Sequence, residues 1–170
     1  VCRTFGSPWV ASHVWVSDLP VDEATWFGQF QVRDGVAVDR DAGTVAQSLL
    51  YNYEVVPAGT RFECEIVAEG LEDWQLGMLW LGLQPLLRGE MAVGGFRSRG
   101  LGTVALEDFD ARYFGLGSEG GRAARLIDYV ISDTPGDLVS VEKAQGWVTA
   151  FRAKVVGLVQ QEEGNAQATD

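Results

Sequence analysis

The sequence predicts an α+β domain, because strand patterns, one long helical pattern and glycine-rich turns follow one another along one chain. Residues 61–68 alternate apolar and polar side chains, as a half-buried strand does. Residues 72–87 carry apolar side chains three and four positions apart, as an amphipathic helix does. A loop with four glycines, residues 94–102, then leads into a predicted strand at 103–109.

The N-terminal part predicts two further strands around a polar excursion. Residues 9–18 are rich in β-branched and aromatic side chains, which favours a strand. Residues 19–48 are polar and rich in turn formers, and we expect an extended insertion there with a short hairpin. Residues 49–56 predict a strand that ends at Pro57.

Helices are expected at three places. The 72–87 helix would be capped by Asp73 and end near Gly89, with Trp80 in the core. Further helices are predicted over 122–131 and 141–159, and residues 160–170 have the polar composition of a disordered tail. We therefore interpret residues 1–159 as a single domain.

The order of these elements is three-quarters of a ferredoxin-like or RRM-like βαββαβ unit. The opening strand and helix of such a unit would precede Val1. The sequence thus predicts a fold that is incomplete at its N-terminal side, and either another segment or chain completes the sheet or the predicted number of strands is wrong.

The charge distribution permits one local nucleic-acid contact and argues against a generally basic surface. The net charge is −11, yet residues 88–125 hold six arginines against five acidic side chains. Eleven of the thirteen basic residues are arginine, which binds phosphate in a bidentate way and stacks on bases.

Several classes of protein are disfavoured by what the sequence lacks. Two distant cysteines, Cys2 and Cys64, with the lone His13 argue against a zinc finger, a disulfide framework or a Ser–His–Asp triad. Reduced cysteines fit a cytoplasmic protein. No run of 18 apolar residues predicts a membrane span, so no membrane partner is expected.

The glycine loop is the strongest candidate site. Glycine permits positive φ and a close approach of the backbone, and successive N–H groups in such a turn can bind an anion. Arg97 and Arg99 on either side of Ser98 could clamp a phosphate or stack on a base. From the residues alone, a tight surface turn with solvated arginines is an equally good interpretation.

Four segments resemble the RAMP superfamily in the family's own order. They are Phe5-Gly6-Ser7 with Val14–Asp18, the segment from Arg33 to Thr44 (RDGVAVDRDAGT), the segment from Tyr53 to Phe62, and Gly94–Gly102 (GGFRSRGLG). The resemblance is to the backbone subunits, of the seven family, in type III (Csm-like and Cmr-like) CRISPR effector complexes. It implies a subunit that binds guide RNA (crRNA) within such an antiviral ribonucleoprotein, with target RNA and other effector subunits or fused RAMP units as partners.

The resemblance also implies roles for particular residues. The RNA-binding set would be Gly94, Gly95, Phe96, Arg97, Ser98, Arg99, Gly100 and Gly102, with Arg33 and Arg40. Residues 19–56 would form a thumb-like insertion in which Trp26 and Phe27 contact a nucleotide or a subunit.

Cleavage of target RNA is a separate expectation. Several relatives of this kind cleave RNA with an aspartate and a divalent ion such as Mg²⁺, and Asp39 is the candidate in this chain. Asp34, Asp39 and Asp41 could hold such an ion, but loop carboxylates more often are solvated or cap turns. No metal ligand set is assigned. The alternative to all RNA-related functions is a protein-interaction module in which the glycine loop is only a turn.

Overall fold

The computed structural model describes residues 2–38, 45–116, 121–132 and 136–167. Its residues group into two compact units, Val1–Glu69 and Gly70–Asp170, where the sequence was interpreted as one domain. Each unit is treated by itself below. The chain contains both helices and strands, which confirms the α+β class.

The described residues form four α-helices, eight β-strands and one 3₁₀ turn. In chain order they are α1 (Cys2–Phe5), β1 (Val14–Val16), β2 (Gln31–Val38), β3 (Val45–Val55), β4 (Ile66–Ala68), α2 (Asp73–Leu87), β5 (Met91–Ala92), the 3₁₀ turn (Arg97–Arg99), β6 (Thr103–Val104), β7 (Arg112–Tyr113), α3 (Arg122–Ile131), β8 (Asp137–Leu138) and α4 (Val141–Gln167).

In the first unit, β1 and β4 form a short antiparallel pair in which Val14 lies opposite Ala68. His13 precedes this pair and is hydrogen-bonded, since its Nδ1 lies 2.9 Å from the carbonyl oxygen of Glu69. Strand β4 is shorter than the predicted strand 61–68, and its three side chains are exposed. The expectation of a half-buried strand face is therefore wrong for β4 as described.

The longest ladder of the first unit is the antiparallel hairpin of β2 and β3. Its register runs from Gln31 opposite Val55 to Val38 opposite Val45, with an irregularity between Val36 and Val38. This hairpin lies inside the predicted insertion 19–56.

In the second unit, α2 packs against α4 at a close crossing. A Cβ at Gly77 would overlap the carbonyl group of Trp147, so only glycine lets the two helix backbones approach this closely. Among the described residues of this unit, Ala144 and Trp147 have buried apolar side chains. Trp80 is half-buried and packs its ring 6.3 Å from that of Trp147 and 6.0 Å from that of Phe109.

The ends of the helices match the sequence in part. Helix α2 ends at Leu87 with Gly89 at positive φ, as expected, and α3 has the predicted bounds. The N-cap of α2 is Glu72, not Asp73, because Gln75 Oε1 accepts the N–H of Glu72 at 2.9 Å. Helix α4 continues to Gln167, over most of the segment expected to be a disordered tail.

The described strands do not assemble into one βαββαβ sheet. They pair two by two, as β1–β4, β2–β3, β5–β6 and β7–β8. Apart from β2 and β3, each strand has only two or three residues, so it offers few ladder hydrogen bonds and little apolar surface to a third strand. No helix in the described ranges has the length and apolar character needed to cross a membrane.

Candidate functional site

The glycine loop of the second unit is the loop of a short hairpin. Met91 lies opposite Val104 and Ala92 opposite Thr103 in the β5–β6 ladder. The N–H of Val93 donates to the carbonyl oxygen of Gly102 at 2.8 Å and extends this ladder by one bond. The loop that the sequence placed between helix and strand is therefore anchored on both sides by strands.

The backbone of the loop uses left-handed conformations at four positions. The φ angles are +87° at Gly94, +55° at Phe96, +78° at Gly100 and +80° at Gly102. At Gly102 a Cβ would also overlap the carbonyl oxygen of Val93, so both conformation and space require glycine.

Three N–H groups of the loop are used inside it. Those of Arg99 and Leu101 donate to the carbonyl oxygen of Phe96, at 2.8 and 3.4 Å, and that of Gly100 donates to Arg97 at 3.1 Å. These bonds close the 3₁₀ turn. They also take three of the loop N–H groups that the sequence had suggested as anion donors.

The two arginines of the loop have different surroundings. The guanidinium carbon of Arg99 lies over the ring of Phe96, 5.1 Å from its centroid. Arg97 and Ser98 are exposed, and within the described residues no side-chain partner is found for Arg97. A guanidinium with its five donors available is suited to a phosphate.

The acidic side chain that precedes the hairpin is paired with a neighbouring arginine. The nearest preceding acidic side chain, Glu90, forms an ion pair with Arg88 at 2.8 Å. The hydrogen bond from Arg88 holds the pKa of Glu90 below its ordinary value, so this carboxylate stays ionised and paired with Arg88. No acidic residue occurs within 94–102.

Comparison with known families shows to which family the chain belongs. The family model described as the RAMP superfamily matches residues 1–105, which include both hairpins and the glycine loop. The chain belongs to the RAMP superfamily. RAMP domains are associated with RNA-binding proteins of CRISPR–Cas systems. A comparison with curated proteins finds no match.

Three other residues with expected contacts to RNA or to a subunit are described, and all lie in the first unit. Trp26 is half-buried and packs edge-on against Phe30, with ring centroids 5.2 Å apart, and Phe27 is 74% exposed. Arg33 is exposed on β2 opposite Tyr53. Their roles stay predictions, as does that of the glycine loop.

The expected catalytic region is described only at its edge. Asp39 and Arg40 lie outside the described residues, and so does Asp41. Asp34 is a strand residue opposite Asn52, not part of a loop cluster. The described residues contain no group of three or more His, Cys, Asp or Glu that could hold a metal ion.

Two tyrosines were missed by the sequence analysis. Tyr51 and Tyr53 share one face of the hairpin, with ring centroids 6.1 Å apart, and Arg33 and Gly35 lie opposite them. A Cβ at Gly35 would overlap the ring of Tyr51, which therefore lies across the glycine. The signal for this face was the alternation of Tyr51 and Tyr53 in a predicted strand.

Proposed function

We propose that this RAMP chain is a guide-RNA-binding backbone subunit of a type III CRISPR effector complex, acting in the cytoplasm. It holds the RNA through phosphate and sugar contacts, because a guide of any sequence must fit. Sequence specificity then comes from base pairing between guide and target RNA. The partners are crRNA, target RNA and other effector subunits or fused RAMP units.

The observation that carries the proposal is the exposed guanidinium of Arg97 in a glycine loop anchored at both ends. The loop has two positive charges and no acidic residue, in a chain whose net charge is −11. An acidic surface repels RNA elsewhere, so binding depends on this local contact and on other local contacts of the same kind. Membership of the RAMP superfamily supports the same function.

The test is RNA binding by the full chain carrying Arg97→Ala and Arg99→Ala. Binding of a single-stranded RNA is measured by fluorescence anisotropy at several salt concentrations. We expect the affinity to fall at least tenfold at low salt. The slope of log K against log salt should also become shallower, by roughly 0.7 for each lost phosphate contact.

The matched control removes two arginines from α3, by Arg122→Ala and Arg125→Ala. It lowers the net charge equally and leaves the loop intact, so its affinity should stay much closer to the wild-type value. Equal losses in the two double variants would contradict a specific role of the loop. Wild-type protein that binds no RNA and purifies without it would favour the alternative, a protein-interaction module.

Cleavage of target RNA is a further hypothesis and is not needed for this proposal. It rests on the aspartate and divalent ion with which several such relatives cleave RNA, and Asp39 is the candidate for that aspartate in this chain. If Asp39→Ala leaves every Mg²⁺-dependent cut in place, Asp39 is not the catalytic residue. The proposal that the chain binds guide RNA is unaffected by that result.

A further inference from the structure

Phe96 has a backbone conformation that its side chain makes costly. Its φ of +55° is left-handed, a region where residues with a Cβ are strained and glycine is not. Gly94, Gly95 and Gly100 show that glycine is used freely in this loop. Strain of this kind is characteristic of functional sites, because the surrounding fold has to offset it. Position 96 therefore carries a ring where the backbone conformation favours glycine.

The ring of Phe96 is held in place, and the residue is partly exposed. Arg99 lies over it at 5.1 Å, and Phe96 remains 39% exposed. The backbone oxygen of Phe96 accepts two hydrogen bonds of the 3₁₀ turn, which fixes the residue that carries the ring. An exposed aromatic ring that is fixed in this way is a surface on which an unpaired base can stack.

Arg97 follows directly, and the two side chains offer complementary contacts. A nucleotide consists of a flat apolar base and a charged phosphate, joined by a sugar. Phe96 suits the base and Arg97 suits the phosphate, whereas Arg99 is already engaged with the ring.

We propose that the glycine loop binds one unstacked nucleotide of single-stranded RNA, with its base on Phe96 and its phosphate on Arg97. Arg99 is a positioning residue that acts through the ring. This inference rests on the proposed function and deepens it, because it names the ligand of the loop as a base together with a phosphate, not backbone alone.

The decisive variant is Phe96→Gly, which removes the ring and also relieves the strained φ. The probes are a 12-nucleotide oligouridine RNA and the same RNA with abasic sugars. Wild type should bind the oligouridine about tenfold more tightly than the abasic RNA, since stacking on one aromatic ring contributes about this factor. Phe96→Gly should bind both RNAs with the lower affinity. Its amide protection at Arg99 and Leu101 should be no weaker than in wild type.

Single arginine variants separate the two roles. Arg97→Ala should weaken binding of both RNAs and make the salt dependence shallower, as loss of a phosphate contact does. Arg99→Ala should reduce the preference for base-bearing RNA. In the double variant with Phe96→Gly, the fold-loss of affinity should be smaller than the product of the two single fold-losses, because both changes act on the same ring.

The outcomes distinguish this inference from the function beneath it. If wild type binds neither RNA, the proposed function fails. If wild type binds both RNAs equally, or Phe96→Gly retains wild-type affinity while the Arg97/Arg99 double variant loses binding, the loop holds backbone only and the inference is overturned. A Phe96→Gly variant that loses amide protection along with affinity would show a structural role for the ring, which also overturns it.

Discussion

The two hairpins of this RAMP chain, β5–β6 and β2–β3, depend on glycine for different reasons. The β5–β6 hairpin has two residue pairs, and left-handed residues give its long loop its shape. The β2–β3 hairpin has a long ladder, and a ring lying across Gly35 covers part of one face. A Cβ at Gly102 would meet the backbone of Val93, whereas a Cβ at Gly35 would meet the ring of Tyr51, which can rotate. Glycine is therefore required at position 102 and replaceable at position 35.

Gly102→Ala should have the largest effect of these changes. The new methyl group would overlap the carbonyl oxygen of Val93, and alanine at a φ of +80° adds strain of about 1–2 kcal/mol. Relief of this overlap requires a backbone shift at Val93 or Gly102, the two residues that the hydrogen bond joins. We expect the Val93 amide to exchange much faster with solvent, which hydrogen-exchange NMR measures, and RNA affinity to fall.

Gly95→Ala is the matched control within the same loop. Gly95 has no positive φ, and a Cβ there would meet nothing within 4 Å. Exchange at Val93 should therefore stay at the wild-type rate. Equal exchange rates in the two variants would show that glycine at position 102 is not required by the backbone.

Gly35→Ala should have a smaller effect on the long hairpin. The methyl group would overlap the ring of Tyr51, and this ring can rotate away while the ladder stays intact. The loss is that of one cross-strand contact, about 0.2–1 kcal/mol. The upfield ring-current shift of the Gly35 α-protons in wild type reports the covering ring. Loss of exchange protection along β2 in the variant would contradict the comparison.

The sequence predicted those parts that local patterns determine. The bounds of α3 follow from apolar spacing, and the glycine loop follows from composition. The stacking of Arg99 on Phe96 could not be predicted, because it depends on a left-handed φ at a residue that is not glycine.

Features that depend on a second element were missed for a related reason. Gly77 lowers the helix propensity of α2 in the sequence, and its role becomes clear only from the close approach of Trp147 in α4. Strand β5 has two residues, too few to show a period of two, so no pattern in the residues before the glycine loop indicated a partner strand for β6. A strand face is buried only if another element packs against it. The alternation of apolar and polar side chains in 61–68 does not show whether such an element is present.

Arg88→Ala should have the smallest effect on stability, because the ion pair at the base of the β5–β6 hairpin is exposed. Both side chains are more than half accessible, and pairs of this kind contribute little and are screened by salt. Arg88 lowers the pKa of Glu90, so the pair stabilises the fold above the ordinary glutamate pKa. This contribution is lost as the pH falls through the lower pKa of folded Glu90.

An NMR titration of the Glu90 side chain should show its pKa rising towards the ordinary value in Arg88→Ala, with unchanged Val93 exchange. RNA affinity should decline slightly, because an unpaired carboxylate then precedes β5. A loss of Val93 protection similar to that of Gly102→Ala would mean that charge, and not backbone conformation, maintains the shape of the loop.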